Sequence, residues 1–291
     1  MGVTVGVDIG GTKILAGAVS ATGDILGTVR HPSPVDSYPD LINEIVSAVK
    51  ESAVGHDLVG VGVGIAGLVD FEGRLLDSPN LGLNHAPVRH DLEAALGMPV
   101  VVDNDANVAA YGEFRCGAGV DEPFMALVTV GTGIGMGIIV GGELYRGKRG
   151  YAGEPGHMIV QPGGRPCACG KLGCWERYAS GTALAGAVAR FGSPKLLLEA
   201  AENGDADAIA AYADVGEWLG RGLASLASIL DPGLILIGGG VSEAGEFLLG
   251  PARESFAKFI FGGPERDPIS IAPAALGEEA AVVGAALLAA T

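Results

Sequence analysis

A chain of 291 residues that is 48% hydrophobic can bury the cores of one large domain or two modest ones, and it is too apolar to be disordered. Its 34 acidic against 18 basic residues leave a net charge of −16, which excludes a surface built to hold DNA or RNA. The same charge repels a nucleotide triphosphate, so such a ligand needs local help from backbone N–H groups, helix N-termini and Mg²⁺.

Met1–Val5 has no basic stretch and the chain reaches Asp8 at once, so no signal peptide is expected. Val3–Asp8 is a short apolar run ending at Gly10-Gly11. Ile14–Val19 follows, then a Thr22-Gly23-Asp24 turn and Ile25–Val29, which predicts three strands joined by tight turns. Pro39–Val54 places Leu41, Ile42, Ile45, Val46 and Val49 on one face, a helical spacing. Val59–Ile65 reads as a strand, Val88–Leu96 as a helix, Val100–Asp103 as a strand and Ala106–Phe114 as a helix.

The second half opens the same way. Phe124–Gly142 carries no charge and is long enough to raise a transmembrane reading, but its six glycines favour a β-hairpin with a Gly-rich turn. Ala126–Val130 runs into Gly131-Thr132-Gly133, then Ile134–Val140, a Gly141-Gly142 turn and Glu143–Tyr145. Later come a helix around Ala210–Leu230, a strand Leu234–Ile237, a helix near Glu243–Leu249, a strand Ile269–Ala272 and a helix from Glu278. The order βββαβαβα thus appears twice. Two such lobes resemble the actin-like (RNase H-like) ATPase architecture, an α/β fold. The first lobe is expected over residues 1–107 plus the terminal helix 278–291. The larger lobe is expected over 108–277. A soluble, cytoplasmic protein is expected.

Asp8-Ile9-Gly10-Gly11-Thr12-Lys13 sits at a strand end and turns straight into another strand. Gly10 and Gly11 let backbone N–H groups approach phosphate oxygens, and Thr12 and Lys13 can add donors. Asp8 would repel phosphate by itself, so its expected role is to hold a Mg²⁺–water shell. Gly131-Thr132-Gly133 is the second loop, and a strand follows it where a dinucleotide fingerprint needs a helix. Either loop alone reads as an ordinary turn. Together, at matching places of a repeat, they favour phosphate. Gly238-Gly239-Gly240-Val241-Ser242 is a third junction. It is either a plain β–α turn or a helix N-terminus capped by Ser242 and suited to phosphate or ribose.

His157, Cys167, Cys169 and Cys174 form the strongest single signal, with Gly170 and Gly173 in between to let the loop curl around an ion. Three thiolates and one imidazole make a closed tetrahedral set, which points to structural Zn²⁺ rather than an open catalytic position. Disulfides are the rival reading, but three clustered cysteines leave one unpaired.

Asp103-Asn104-Asp105-Ala106-Asn107 follows a buried strand and opens a helix. The acids either cap that helix or present Asp105 as a general base with Asn104 reading sugar hydroxyls. With Glu154-Pro155-Gly156-His157 and Cys167-x-Cys169-Gly170-x-x-Gly173-Cys174-x-Glu176, these motifs resemble the ROK family of sugar kinases and repressors, in order along nearly the whole chain. The continuation Cys174-Trp175-Glu176-Arg177-Tyr178-Ala179-Ser180-Gly181 looks most like the bacterial ROK glucokinases. One departure is Asn84, where many relatives carry Trp.

The resemblance implies an ATP-dependent hexose kinase with a zinc-binding insert at 154–176. Asp105 would take the proton of the 6-hydroxyl. Asn104, Glu154, His157, Glu176 and Gly64 would meet the sugar. Asp8, Gly10, Gly11, Thr12, Lys13, Thr132, Gly133, Gly239, Gly240 and Ser242 would serve the nucleotide. ATP, Mg²⁺ and structural Zn²⁺ are the implied cofactors, and a homodimer or homotetramer is the implied assembly, with no nucleic acid or membrane partner. Kinases for mannose or N-acetylmannosamine, and a sugar-sensing regulator without catalysis, are the alternatives.

Overall fold

The computed structural model describes residues 2–35 and 37–291. In chain order the elements are β1 (Gly2–Ile9), β2 (Lys13–Val19), β3 (Ile25–Pro32), α1 (Tyr38–Ser52), β4 (Asp57–Ile65), β5 (Leu68–Val69), β6 (Leu75–Ser78), β7 (Leu83–Ala86), α2 (Val88–Leu96), β8 (Val100–Asn104) and α3 (Asp105–Cys116). Then come β9 (Phe124–Val130), β10 (Ile134–Val140), β11 (Glu143–Leu144), α4 (Glu176–Ala179), α5 (Ala185–Phe191), α6 (Pro194–Glu202), α7 (Ala206–Leu230), β12 (Leu234–Gly238), α8 (Glu246–Phe259), β13 (Ser270–Pro273) and α9 (Ala280–Ala289).

One sheet has the order β3-β2-β1-β4-β8 and another the order β11-β10-β9-β12-β13. The two orders are the same pattern, so the repeat read from the glycine loops is a true duplication of topology. In each sheet the strand that opens the repeat, β1 or β9, is central, with parallel neighbours on one side. The uncharged stretch 124–142 is β9 and β10, and among the described residues no helix is long and apolar enough to cross a membrane.

Two compact units emerge: Met1–Pro123 with Gly137–Gly153 and Ala274–Thr291, and Phe124–Met136 with Glu154–Pro273. This differs from the division expected at residue 107. That point falls inside α3, which stays whole because it packs along α9 and β4 in the first unit.

In the first unit the pleat of β1 sends Val3, Val5, Val7 and Ile9 into a core completed by Leu41, Ile45 and Val49 of α1 and Val88 and Leu92 of α2. The opposite face carries glycine where α9 lies. A methyl group at Gly6 would collide with the Val282 carbonyl, and one at Gly62 with the Ala285 carbonyl. Gly112 of α3 and Gly284 of α9 likewise leave no room for a side chain where those helices cross. The high glycine content is therefore spent partly on backbone-to-backbone packing. Glu113, fully buried on α3, accepts the N–H groups of Ala118, Ala275 and Leu276 at 2.7–2.9 Å and so fixes the segment leading into α9.

Strands β5–β7 form a small separate antiparallel sheet that the sequence reading left out. Its runs are two to four residues long, too short to show a period, although Leu75, Leu83 and Ala86 join the main core. Asn84 lies exposed on β7, opposite Asp77.

In the second unit α7 and α8 pack closely through Gly216 and Gly220. Trp175 is fully buried, donates its indole N–H to the Trp218 carbonyl at 2.8 Å, and occupies the space that Gly222 leaves open. The cysteine-bearing loop is thereby anchored to α7.

Candidate active site

In the first unit the carboxyl ends of three parallel strands lie side by side, with Asp8 in register with Gly64 and Gly64 with Asp103. Ligands of open α/β sheets bind at such ends. The first glycine loop leaves β1 here. Gly10 N–H donates to the Lys13 carbonyl at 3.0 Å to close the turn, and a methyl at Gly11 would stand 2.9 Å from the Asn80 carbonyl oxygen. Lys13 does not stand free: its ammonium meets Glu278 at 2.6 Å, just before α9.

Asp103 is a structural acid. It accepts from the Asn107 side chain at 2.8 Å and from Arg146 at 2.5 Å. Asn104 caps α3, its amide oxygen accepting from the N–H groups of Ala106 and Asn107, while its nitrogen donates one hydrogen to the Gly67 carbonyl at 3.1 Å. Asp105 begins the helix and accepts from Ala106 N–H at 2.9 Å. Gly64 packs beneath this first turn, against Val108 and the Asp105 backbone, so the helix sits close to β4.

Asp8 and Asp105 both lie above the usual carboxylate range. Burial first, and the Asp105 carboxylate second, push Asp8 up to about 7, against the pull of Lys13. Burial also raises Asp105 above the usual carboxylate range, opposed by the Ala106 N–H. Two acids at the carboxyl edge of one sheet, Asp8 on β1 and Asp105 just past β8, suit a divalent cation, which lowers both.

In the second unit Thr129 of β9 is in register with Gly238 of β12, so the second glycine loop and the third junction leave the sheet together. Gly181 lies between them: its N–H donates to the Gly131 carbonyl at 2.8 Å, and a methyl on it would stand 3.5 Å from Val241. Gly239 takes φ +83° against the backbone of Val130, a position only glycine fills comfortably. Ser242 corrects an expectation. It does not cap α8. Residues 240–244 form a 3₁₀ turn, Ser242 donates to the Gly239 carbonyl at 2.7 Å, and α8 starts later behind Gly245.

The loop between β11 and α4 brings His157, Cys167, Cys169 and Cys174 together, all four ligand atoms within 4.8 Å of one another. Gly173, at φ +85°, makes the turn before Cys174. Around zinc, tetrahedral bonds of about 2.3 Å to sulfur and 2.1 Å to nitrogen give edges of about 3.8 and 3.6 Å. Here Cys169 and Cys174 sulfurs are 3.6 Å apart, and His157 Nδ1 is 3.8 Å from the Cys167 sulfur. Burial raises the Cys167 and Cys174 thiols above the ordinary cysteine value, and a cation among them would favour their ionised forms. The donor set and its dimensions fit zinc.

The cluster adjoins the second glycine loop. Glu176 Oε1 accepts from Cys167 at 2.9 Å and lies 3.7 Å from His157 Nδ1. A methyl added to Gly133 would stand 2.5 Å from Glu176 Oε2. The turn Pro155–His157, which follows Glu154, packs through Gly156 on Ile134. Thr132, Gly133, His157 and Glu176 therefore share one neighbourhood. Residues the sequence reading missed are Ser180, whose hydroxyl reaches the Thr132 carbonyl at 2.9 Å, and Glu278 beside Lys13. Neither leaves a periodic signal.

A family profile described as ROK family matches residues 4–291. A glucokinase of Streptomyces coelicolor is 42% identical over 99% of this chain and 98% of its own. A ROK family glucokinase structure from Streptomyces griseus, in complex with glucose and AMPPNP, superimposes with a TM-score of 0.91 at 41% identity over 99% of both chains. A ROK hexokinase structure from Thermus thermophilus gives a TM-score of 0.81 at 35% identity over 99% of this chain and 98% of that one.

Proposed function

The chain belongs to the ROK family, and from that membership we propose that it is an ATP-dependent glucokinase, moving the γ-phosphoryl group of ATP to the 6-hydroxyl of glucose. The observation that carries the reading is the pair of half-buried acids beside a glycine loop, Asp8 at the carboxyl end of β1 and Asp105 just past that of β8, with β4 between them. The near relatives named glucokinase support glucose as the acceptor.

Asp105 is assigned as the general base. The 6-oxygen forms a bond to the γ-phosphorus as the bond to the bridging oxygen breaks and ADP leaves. The hydroxyl proton passes to the Asp105 carboxylate. A base whose pKa is raised toward the working pH is better matched to that transfer, and such assistance is worth about 10²–10⁴ in rate. Phosphoryl transfer otherwise asks for positioning and charge neutralisation. The N–H groups around Gly10, Gly11, Thr132 and Gly133 are assigned to the phosphates, with Thr12 and Lys13 as further donors and Asp8 as the carboxylate for the Mg²⁺ that accompanies ATP. Lys13 exchanges Glu278 for phosphate. Gly239, Gly240 and Ser242 are assigned to the nucleoside side.

Asn104, Gly64, Glu154, His157 and Glu176 are assigned to the sugar hydroxyls. Zinc held by His157, Cys167, Cys169 and Cys174 supplies fixed positive charge that keeps the thiolates ionised. With Nδ1 turned toward the cysteines, the His157 Nε2 must carry hydrogen and becomes a donor to a hydroxyl. A sugar lacking the matching hydroxyl leaves these groups unpaired, which costs about 1–3 kcal/mol for each. We place the protein in the cytoplasm as a homodimer or homotetramer, as ROK kinases are.

The test is ADP release with glucose, and with mannose and N-acetylmannosamine as competitors. Asp105→Asn is expected to bind glucose and lose at least about 10²-fold in kcat. Near-normal turnover in that variant ends the assignment of Asp105, and absence of glucose-dependent ADP release from the wild type ends the kinase reading.

A further inference from the structure

We propose, on the reading that the Gly131–Gly133 loop serves the nucleotide and Glu176 the sugar, that Ser180 and Thr182 are positioning residues coupling the two sites. Ser180 is fully buried. Its hydroxyl lies 2.6 Å from the Glu176 carbonyl oxygen, 2.9 Å from the Thr132 carbonyl oxygen and 2.9 Å from the Thr182 hydroxyl. The Thr182 hydroxyl is 3.4 Å from the same Glu176 carbonyl, and the Thr182 N–H donates to Ser180 Oγ at 3.3 Å.

A hydroxyl donates one hydrogen. Ser180 alone can therefore serve only one of its two carbonyls. When it donates to Glu176, the Thr132 carbonyl loses this donor. When Thr182 turns its hydrogen to Glu176, Ser180 is released to donate to Thr132, and both carbonyls are served. The two hydroxyls thus decide whether the backbone of the nucleotide loop is tied to the backbone that carries the sugar carboxylate. Two neighbouring contacts keep the parts in register: Gly181 N–H on the Gly131 carbonyl at 2.8 Å, and the Glu176 carboxylate over Gly133. A shift of Glu176 toward a sugar hydroxyl reaches Thr132 through one side chain, and a shift of Thr132 on meeting phosphate reaches Glu176 the same way. Linkage makes the effect reciprocal.

The experiment measures AMPPNP binding by calorimetry, with and without saturating glucose, on the zinc-loaded full chain. Glucose is expected to tighten AMPPNP binding to the wild type within the range of about 5- to 150-fold usual for such coupling. Ser180→Ala removes one hydrogen bond and is expected to lower that factor by about 2- to 10-fold. Thr182→Val keeps the side-chain shape at a half-buried position and is expected to lower it as well, whereas Thr182→Ser retains the hydroxyl and the coupling. A residue that only packs would lower the melting temperature and leave the factor unchanged. An unchanged factor in both Ser180→Ala and Thr182→Val overturns the proposal, as does a wild type that binds glucose and AMPPNP independently. Should Ser180→Ala fail to fold, Thr182→Val decides. A wild type that binds neither ligand overturns the kinase reading itself, a separate and visible failure.

Discussion

Replacing Gly133 by alanine separates folding from function at one atom. The backbone there does not need a positive φ, so alanine meets no torsional strain. Its methyl would stand 2.5 Å from Glu176 Oε2, against an ordinary contact of about 3.5 Å. The carboxylate must therefore retreat by about 1 Å. The obstructing atom ends a flexible side chain, so the fold need not move. Gly→Ala at a compatible position usually adds about 0.4–1 kcal/mol of stability through the unfolded chain. A displacement of about 1 Å in a group that orients substrate costs on the order of 10²-fold in rate. Expected, then, is a folded, zinc-loaded variant with an unchanged or slightly higher melting temperature and about 100-fold lower kcat/KM for glucose, read by coupled ADP release beside a zinc determination. Near-wild-type kcat/KM in that preparation, or a variant that does not fold, refutes the placement of Glu176 over the loop.

Further outcomes follow from the same geometry. Asp8 has its folded pKa raised from 3.8 to about 7, so its contribution to stability is complete below the unfolded value and is lost as pH rises through about 7. In Mg²⁺-free buffer Asp8→Asn is expected to remove up to about 4 kcal/mol of the wild type's decline between acid and mildly alkaline pH; parallel urea-denaturation profiles for the two proteins would contradict this. Cys169→Ser is expected to lose bound zinc, one ion per chain by mass spectrometry in the wild type, together with glucose binding, and full activity without metal would remove the structural role of the site. Gly284→Ala drives a methyl into the Val108 carbonyl, a backbone obstacle, and is expected to cost at least about 1–3 kcal/mol while the surviving folded enzyme keeps its kcat; a wild-type melting temperature would show that α3 and α9 do not cross so closely.

What the sequence made legible were features with a period or a fixed spacing. Helix α2 lies at Val88–Leu96 as its pattern predicts, and the shared strand order of the two sheets follows the repeat of glycine loops. The cluster of His157, Cys167, Cys169 and Cys174 was readable because thiols close in sequence lie close in space. Strands β5–β7 and helices α4 and α5 were not, because elements of two to seven residues complete two periods at most; α6, nine residues like α2, was passed over. The start of α8 was misplaced because Gly245, at φ +55°, breaks the chain after a turn that mimics a helix. Links such as Ser180 to Thr132, Glu113 to Leu276 and Lys13 to Glu278 join residues far apart in the chain through single polar atoms, and no local pattern encodes them.

The glycine-lined face of the first sheet has a bearing on how the protein is made. A ribosome adding roughly 5–20 residues per second delivers β1 long before α9, the element that covers it. Until residues 280–289 emerge, Gly6 and Gly62 present a bare strip of main chain, and neither β1 nor β4 has its cover on that side. The unit begun first is thus finished last, while the stretch from Glu154 to Pro273 is already out and able to collapse on its own contacts. Collapse around the cysteine loop can therefore precede assembly of the Asp8–Asp105 side, an order of maturation written into where α9 docks.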